Sequence, residues 1–540
     1  MVVKPFLTSL CLALAALAAA PAAAATLELD KHGLRLLDAN ARVLDRIALR
    51  SKRWDQRTLD DGSQLALLHD ADRGDLVLVH SRGARLQTLA RWAGPAFNLE
   101  ALCLHRDGQQ LVHAFLLADD GVSTQWLLPP TDSTAAPTTA ATQPQPLRSL
   151  ATPPGAKSCR VRDAEGLLYV AEPGVGIWAY GTDPERSQRT LVLSEPRVDG
   201  ARLDTWLAQR PLQAREALPT VRARAQTDTV KGQGDAADDP AIWVHPGNSR
   251  HSRILATDKK RGLAVYDLQG QERQFLPVGR INNVDLRQDL RYGARRWDLA
   301  AATQRDQNAI VLFGISPTGW VRELARLPTE LSDIYGVCTG RNADGQLDVF
   351  ANDKDGRLLQ LRVHHGDRPD GPWSAQVVRR LRLDSQPEGC VVDEVTQTLF
   401  VGEEKRGIWR VALNTENAEP ELVVPVGGAL HADVEGLAIY HGKAGEHYLV
   451  VSSQGNDSYL VLDATAPYTL RAAFRVGINA RAGIDATSET DGLAVTAANL
   501  GAPYGQGLLV VQDGHKRLPQ GTQNFKLIAW SDVMALVVRP

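Results

Sequence analysis

Side chains able to hold a hard cation recur through the second half of this chain. Asp238 and Asp239 stand in DAADDPAIWV (235–244), Glu388 in SQPEGCVVD (385–393), and Glu403 and Glu404 in GEEKRGIW (402–409). Asp433 and Glu435 open DVEGLAIY (433–440), Gln454 and Asn456 lie in SSQGN (452–456), and Asp485 and Asp491 follow. Calcium takes six to eight oxygens from carboxylates, amides and carbonyls on different loops. Interleaved with the acids are Lys259, Lys260, Arg305, Tyr335 and Lys354. Arginine holds phosphate oxygens in a fork, lysine presents a point charge, and a tyrosine hydroxyl donates one hydrogen bond. Taken singly, an acid at a turn is most often an Asx-turn or a solvated edge, and a turn lysine is solvated. Crowded together, carboxylates repel unless a cation joins them. Oxygen ligands beside phosphate-holding cations point to metal-assisted phosphate chemistry.

Short strands must position these residues. Alternating apolar runs end in Gly, Asp or Asn turns, as in LDVFANDKDGRLLQLRV (347–363) and HYLVVSSQGNDSYLVLDA (447–464). Helical periodicity is scarce, and 45 Gly and 29 Pro punctuate the runs, so the chain reads as all-β. About 320 residues at 40–50 per four-stranded blade gives six or seven propeller blades. The chain also carries a degenerate duplication: CRVRDAEGLLYVAEPGVGIW (159–178) aligns without gaps to CVVDEVTQTLFVGEEKRGIW (390–409), a shift of 231. That shift would place the partner of DDPAIWV inside the first 25 residues, so the first copy is expected to lack its first blade.

The second-half motifs, from about Pro219 to Trp530, resemble in one order those of the β-propeller phytases, calcium-dependent enzymes that dephosphorylate inositol hexakisphosphate. The resemblance implies a six-bladed catalytic propeller over 219–540, preceded by an incomplete, inactive copy over 26–215. It implies several calcium ions, with Asp238, Asp239, Glu388, Glu404, Asp433, Glu435, Gln454, Asn456 and Asp485 as ligands. Lys259, Lys260, Arg305, Tyr335 and Lys354 would contact phosphate, and with Glu388 they would form the catalytic set. The implied reaction is stepwise hydrolysis of phytate by a calcium-activated water, without a phospho-enzyme. Gln226 stands where the family often has Glu, and Lys516 where it has an amide, which puts a peripheral calcium site in doubt. The first copy is expected to have lost the site: Lys157 replaces Glu388, Pro173 replaces Glu404, Glu100 replaces Tyr335 and Asp119 replaces Lys354, while Arg73 is the expected match of Arg305.

Other readings fit less well. A lactonase-like calcium propeller has no use for Lys259, Lys260, Arg305 and Lys354, and a non-catalytic anion-binding propeller has no use for the acids. VHHGDRPD (363–370) lacks the leading Arg of the RHGxRxP histidine-phosphatase signature, and none of the cysteines is followed by Arg six residues later. At 540 residues, 44% hydrophobic and net charge −3, the chain suggests two or three domains and no nucleic-acid partner. Residues 1–25, with Lys4, an apolar stretch and then small residues, read as a secretory signal cut after Ala25, leaving a secreted or periplasmic monomer free of the membrane. Four cysteines remain: Cys103, Cys159, Cys338 and Cys390. They fit either buried thiols or two disulfides, and their matching places suggest one disulfide within each copy.

Overall fold

The computed structural model describes residues 25–130, 143–215, 217–368, 371–443 and 445–538. The expected export signal and most of the Pro/Thr/Ala-rich stretch 129–146 therefore lie outside the described residues. The fold is all-β, built mainly of antiparallel four-stranded sheets whose strands follow chain order. Strand sequence follows burial. Ala309–Ile315 is buried at every position and reads as one apolar run, AIVLFGI, because both faces are covered. Trp373–Arg382, last in its sheet, alternates half-buried and exposed residues along WSAQVVRRLR, the period of a one-sided strand.

In the second half, the first strands of successive sheets touch one another. Ala237–Trp243 meets Ile281–Tyr292, then come Ile334–Arg341, Pro387–Asp393, Val434–His441 and Leu493–Thr496 in order. The last of these contacts Ala237–Trp243 again, so the first strands surround a common axis. Two sheets are completed by earlier chain. Thr220–Arg222 runs parallel to Leu470–Gly477, and Ala225–Gln226 pairs antiparallel with Asn524–Ala529, Ala225 opposite Leu527.

The first half holds a three-stranded sheet from Thr26–Asp30 to Val43–Ile47, then four-stranded sheets starting at Trp54–Thr58, Leu99–Arg106 and Ser158–Arg162. A helix, Gly200–Ala208, follows, capped by Asp199, which accepts from the Arg202 amide at 2.8 Å. The two halves share details of packing. The Trp178 indole donates to Glu172 at 2.5 Å, and Trp409 donates to Glu403 at 2.7 Å. Both expected disulfides form, Cys103–Cys159 and Cys338–Cys390, each joining the first strands of adjoining sheets. The halves are held together by Arg186–Asp457 at 2.7 Å, Arg475–Asp183 at 2.8 Å and Arg517–Glu185 at 2.9 Å. Leu127 and Leu147 pack there against Ile478 and Leu518.

Candidate active site

The acids converge because five of the six first strands carry a bulge at the same end; Leu493–Thr496 pairs in unbroken register. The antiparallel register slips between Ala237 and Pro240, Ile281 and Val284, Ile334 and Val337, Pro387 and Cys390, and Val434 and Leu437. The residues inside these bulges are Asp238-Asp239, Asn282-Asn283, Tyr335-Gly336, Glu388-Gly389 and Glu435-Gly436. A bulge frees two residues from the ladder and re-aims their side chains. The glycines let neighbouring strands close in: a Cβ on Gly336 would sit 2.0 Å from the Glu388 carbonyl oxygen, and one on Gly389 would sit 2.1 Å from that of Glu435. Gly492, after Asp491, is similarly pressed, with Asp239 Oδ1 2.2 Å from where its Cβ would be.

The result is a buried acidic ring. One carboxylate oxygen from each of Glu388, Glu404 and Glu435 lies within 4.8 Å of the others. Both oxygens of Asp238, Glu435 Oε2 and Asn282 Oδ1 are buried and accept no hydrogen bond. Asn282 Nδ2 donates to Glu388 Oε1 at 3.2 Å, and the Val284 amide donates to Asp239 Oδ2 at 3.1 Å. Gln454 Nε2 donates to Asp491 Oδ1 at 2.6 Å, and Glu404 and Asp433 are engaged by Gln386 and Lys405. Burial, with Asp238 nearby, pushes Glu388 up to about 7. Burial and neighbouring acids likewise raise Asp239, Glu435 and Asp491 well above the ordinary carboxylate range. Buried anionic oxygens without donors are costly, and this all-oxygen set fits a hard divalent cation. A cavity of about 420 Å³ adjoins the ring, lined by Asp239, Asn283, Gly389, Gly436 and Leu493 among others.

Cations flank one side of the ring. Lys259 Nζ is 2.8 Å from Asp235, 3.3 Å from Asp491 and 3.6 Å from Asp238. Burial alone would lower this ammonium, but Asp238, Asp491 and Asp235 outweigh it and raise the group. Tyr335 sits between Arg305, whose guanidinium carbon is 5.3 Å from the ring centroid, and Lys354, whose Nζ is 4.3 Å away. Burial first, then Glu388 and Asp238, raise the phenol, so it stays protonated at neutral pH. Arg305 Nε is buried without a partner, and its nearest acid, Asp333, is 3.8 Å off. Lys260 is exposed and bonds the Gln233 carbonyl.

Two expected ligands are engaged elsewhere. Asn456 Oδ1 accepts from Ser453 and Ser458 at 2.9 and 2.7 Å. Asp485 Oδ1 holds Lys526 Nζ at 2.8 Å, and Asp513, Asn524 and Gln226 complete the ammonium's shell at 2.7, 2.9 and 3.1 Å. A protonated amine thus stands where a peripheral cation was in doubt. The expected ligand set left out Asn282, Asn283 and Asp491, although Asp491 stood among the candidate carboxylates. The recurring residue-then-glycine step, Tyr335-Gly336, Glu388-Gly389, Glu435-Gly436 and Asp491-Gly492, was the signal for Asp491. In the first half, Glu100 faces Arg53 at 3.7 Å and Asp119 accepts from Asn98 at 2.9 Å, so neither reproduces its second-half counterpart.

The family model described as Phytase matches residues 207–537. The 3-phytase of Bacillus subtilis is 35% identical over 326 residues, 58% of this chain and 84% of the relative. Two solved structures overlay loosely and carry no argument. One is a functionally unknown protein from Desulfotomaculum acetoxidans, with TM-score 0.29 and 9% identity, covering 83% of this chain and 94% of its own. The other is Saccharomyces cerevisiae Sqt1, with TM-score 0.31 and 12% identity, covering 80% and 95%. With the family model spanning more than half of the chain and 84% of that relative covered, the chain belongs to the β-propeller phytase family.

Proposed function

We propose that this protein is an exported, calcium-dependent phytase that releases phosphate stepwise from inositol hexakisphosphate. Its catalytic unit, 219–540, would be a six-bladed propeller, and 26–215 a truncated, degenerate copy without activity of its own. The observation that carries the reading is the ring of bulged acids with donorless oxygens, set beside Lys259, Arg305, Tyr335 and Lys354. Asp238, Asp239, Glu388, Glu404, Asp433, Glu435, Gln454 and Asp491 would hold calcium, which when bound supplies a more acidic water and neutralises phosphoryl charge. Arg305 grips two phosphate oxygens, and Lys354 and Lys259 add point charges. Tyr335, kept protonated, donates one hydrogen bond to the bound phosphate. Lys260, exposed at the rim, meets a neighbouring phosphate of the same substrate. The two disulfides support export, because such bonds persist in oxidising compartments. The test is phosphate release from phytate with calcium and with excess chelator: activity that survives chelation overturns the reading.

A further inference from the structure

Two of the first strands that carry the acidic ring bring a second set of ligand atoms together at their opposite ends. Asp393 closes Pro387–Asp393, the strand of Glu388, and His441 closes Val434–His441, the strand of Glu435. His447 opens the next strand and lies directly across from His441 in the antiparallel register. His441 Nε2 is 3.2 Å from Asp393 Oδ1, and His447 Nε2 is 3.0 Å from Asp393 Oδ2. One atom from each of the three residues falls within 4.8 Å of the others. The two imidazoles stack, with centroids 4.3 Å apart and planes at 24°.

This cluster is built rather than incidental. The Asp393 carboxylate is fully buried and oriented by the Val395 amide at 3.1 Å and the Thr396 hydroxyl at 2.5 Å. His447 Nε2 is buried, and despite its short approach to Asp393 it makes no hydrogen bond. The pair is therefore not held by an ordinary imidazole-to-carboxylate donation. Two tetrahedral ligands about 2.0–2.1 Å from one metal lie roughly 3.3 Å apart, close to both separations seen here. His441 remains partly exposed, leaving an entry path.

The geometry points to a second metal site, in which Asp393, His441 and His447 bind one divalent transition cation of the zinc class, with solvent completing its shell. Imidazole nitrogen suits zinc, cobalt and nickel, whereas calcium takes oxygen, so this site selects a different metal from the acidic ring. Its ligands come from two adjacent sheets, and the cation clamps the far ends of the strands that present Glu388 and Glu435. The role is structural, remote from the phosphate-holding residues.

The test uses the full chain in saturating calcium, so that the oxygen sites are filled. Zn²⁺ is titrated by calorimetry and Co²⁺ by visible absorption, with the wild type, His441→Ala and His447→Ala. The expected result is one Zn²⁺ per chain, a nitrogen-containing Co²⁺ spectrum, and affinity at least about 10-fold weaker in each variant, since even outer-shell partners of a metal are worth that much. Calcium-supported turnover should be unchanged in His441→Ala. A wild type that takes no Zn²⁺ under these conditions overturns the site. So do variants that bind Zn²⁺ as tightly as the wild type, or a Co²⁺ spectrum of oxygen ligands alone, which need no folded variant to read.

Discussion

The ammonium of Lys526 lies 2.8 Å from Asp485 and 2.7 Å from Asp513, and none of the three side chains reaches solvent. It is a covalently tethered cation inside a four-oxygen cage. Removing one partner of a buried ion pair strands the other charge, at about 3–5 kcal/mol. Lys526→Met should lower unfolding free energy in urea by roughly that amount, measured in chelator so that bound metal does not intervene. A variant as stable as the wild type would mean that the cage needs no cation.

Calcium removal should act on stability as well as on turnover. A ligand that binds only the native state adds RT ln(1 + [L]/Kd), about 2.7 kcal/mol at a hundredfold excess over Kd. Melting should shift down in chelator and recover when calcium is restored. A melting curve indifferent to calcium would count against the acidic ring as the metal site.

Arg305→Ala should cut turnover about 10²–10³-fold, the loss of roughly 2.7–4 kcal/mol of transition-state stabilisation expected for one well-placed donor. Among the described residues its only ion-pair contact, with Asp333, is a loose 3.8 Å, so stability should barely move. Wild-type kinetics in this variant would remove Arg305 from the site.

Activity should survive deletion of the first half. A fragment 219–540 keeps Thr220–Arg222 and Ala225–Gln226, which complete two sheets, and should hydrolyse phytate in calcium. It should melt lower than the full chain, because Arg475 and Arg517 lose Asp183 and Glu185, and Ile478 and Leu518 are uncovered. Phosphate release by a fragment 26–210 would refute the reading that the first half has no chemistry.

Acid should loosen the first half. His105 is buried between Asp163 and Thr182, each at 3.0 Å. Burial lowers its pKa, against the pull of Asp163. Below the unfolded value near 6.5 the unfolded chain gains a proton that the folded one resists, so this contribution is complete above that pH and fades below it. Melting followed from pH 7 to 5 should fall less steeply in His105→Gln; equal slopes would acquit the imidazole.

Much of this was legible from residue type and order. The acids, the cations and the matching cysteines announced themselves because their chemistry is specific and they recur at strand ends. The bulges did not, since register slippage depends on pairing across strands and leaves no local pattern. Asp485 was misleading for a different reason. Its partner Lys526 lies on another strand, and a lysine within an apolar run such as NFKLIA gives no sign of being fully buried. Asp393, His441 and His447 were equally opaque, because strand pairing alone brings them together.

The pairing of Ala225 with Leu527 also sets a clock. These residues are roughly 300 positions apart, and at about 5–20 residues per second a ribosome needs about 15–60 s between them. Until the later strand emerges, Gln226 and its neighbours have no backbone partner, and Asp491 cannot yet meet Lys259. A growing chain therefore cannot assemble the whole acidic ring, which closes only in the finished polypeptide, wherever it has been delivered by then.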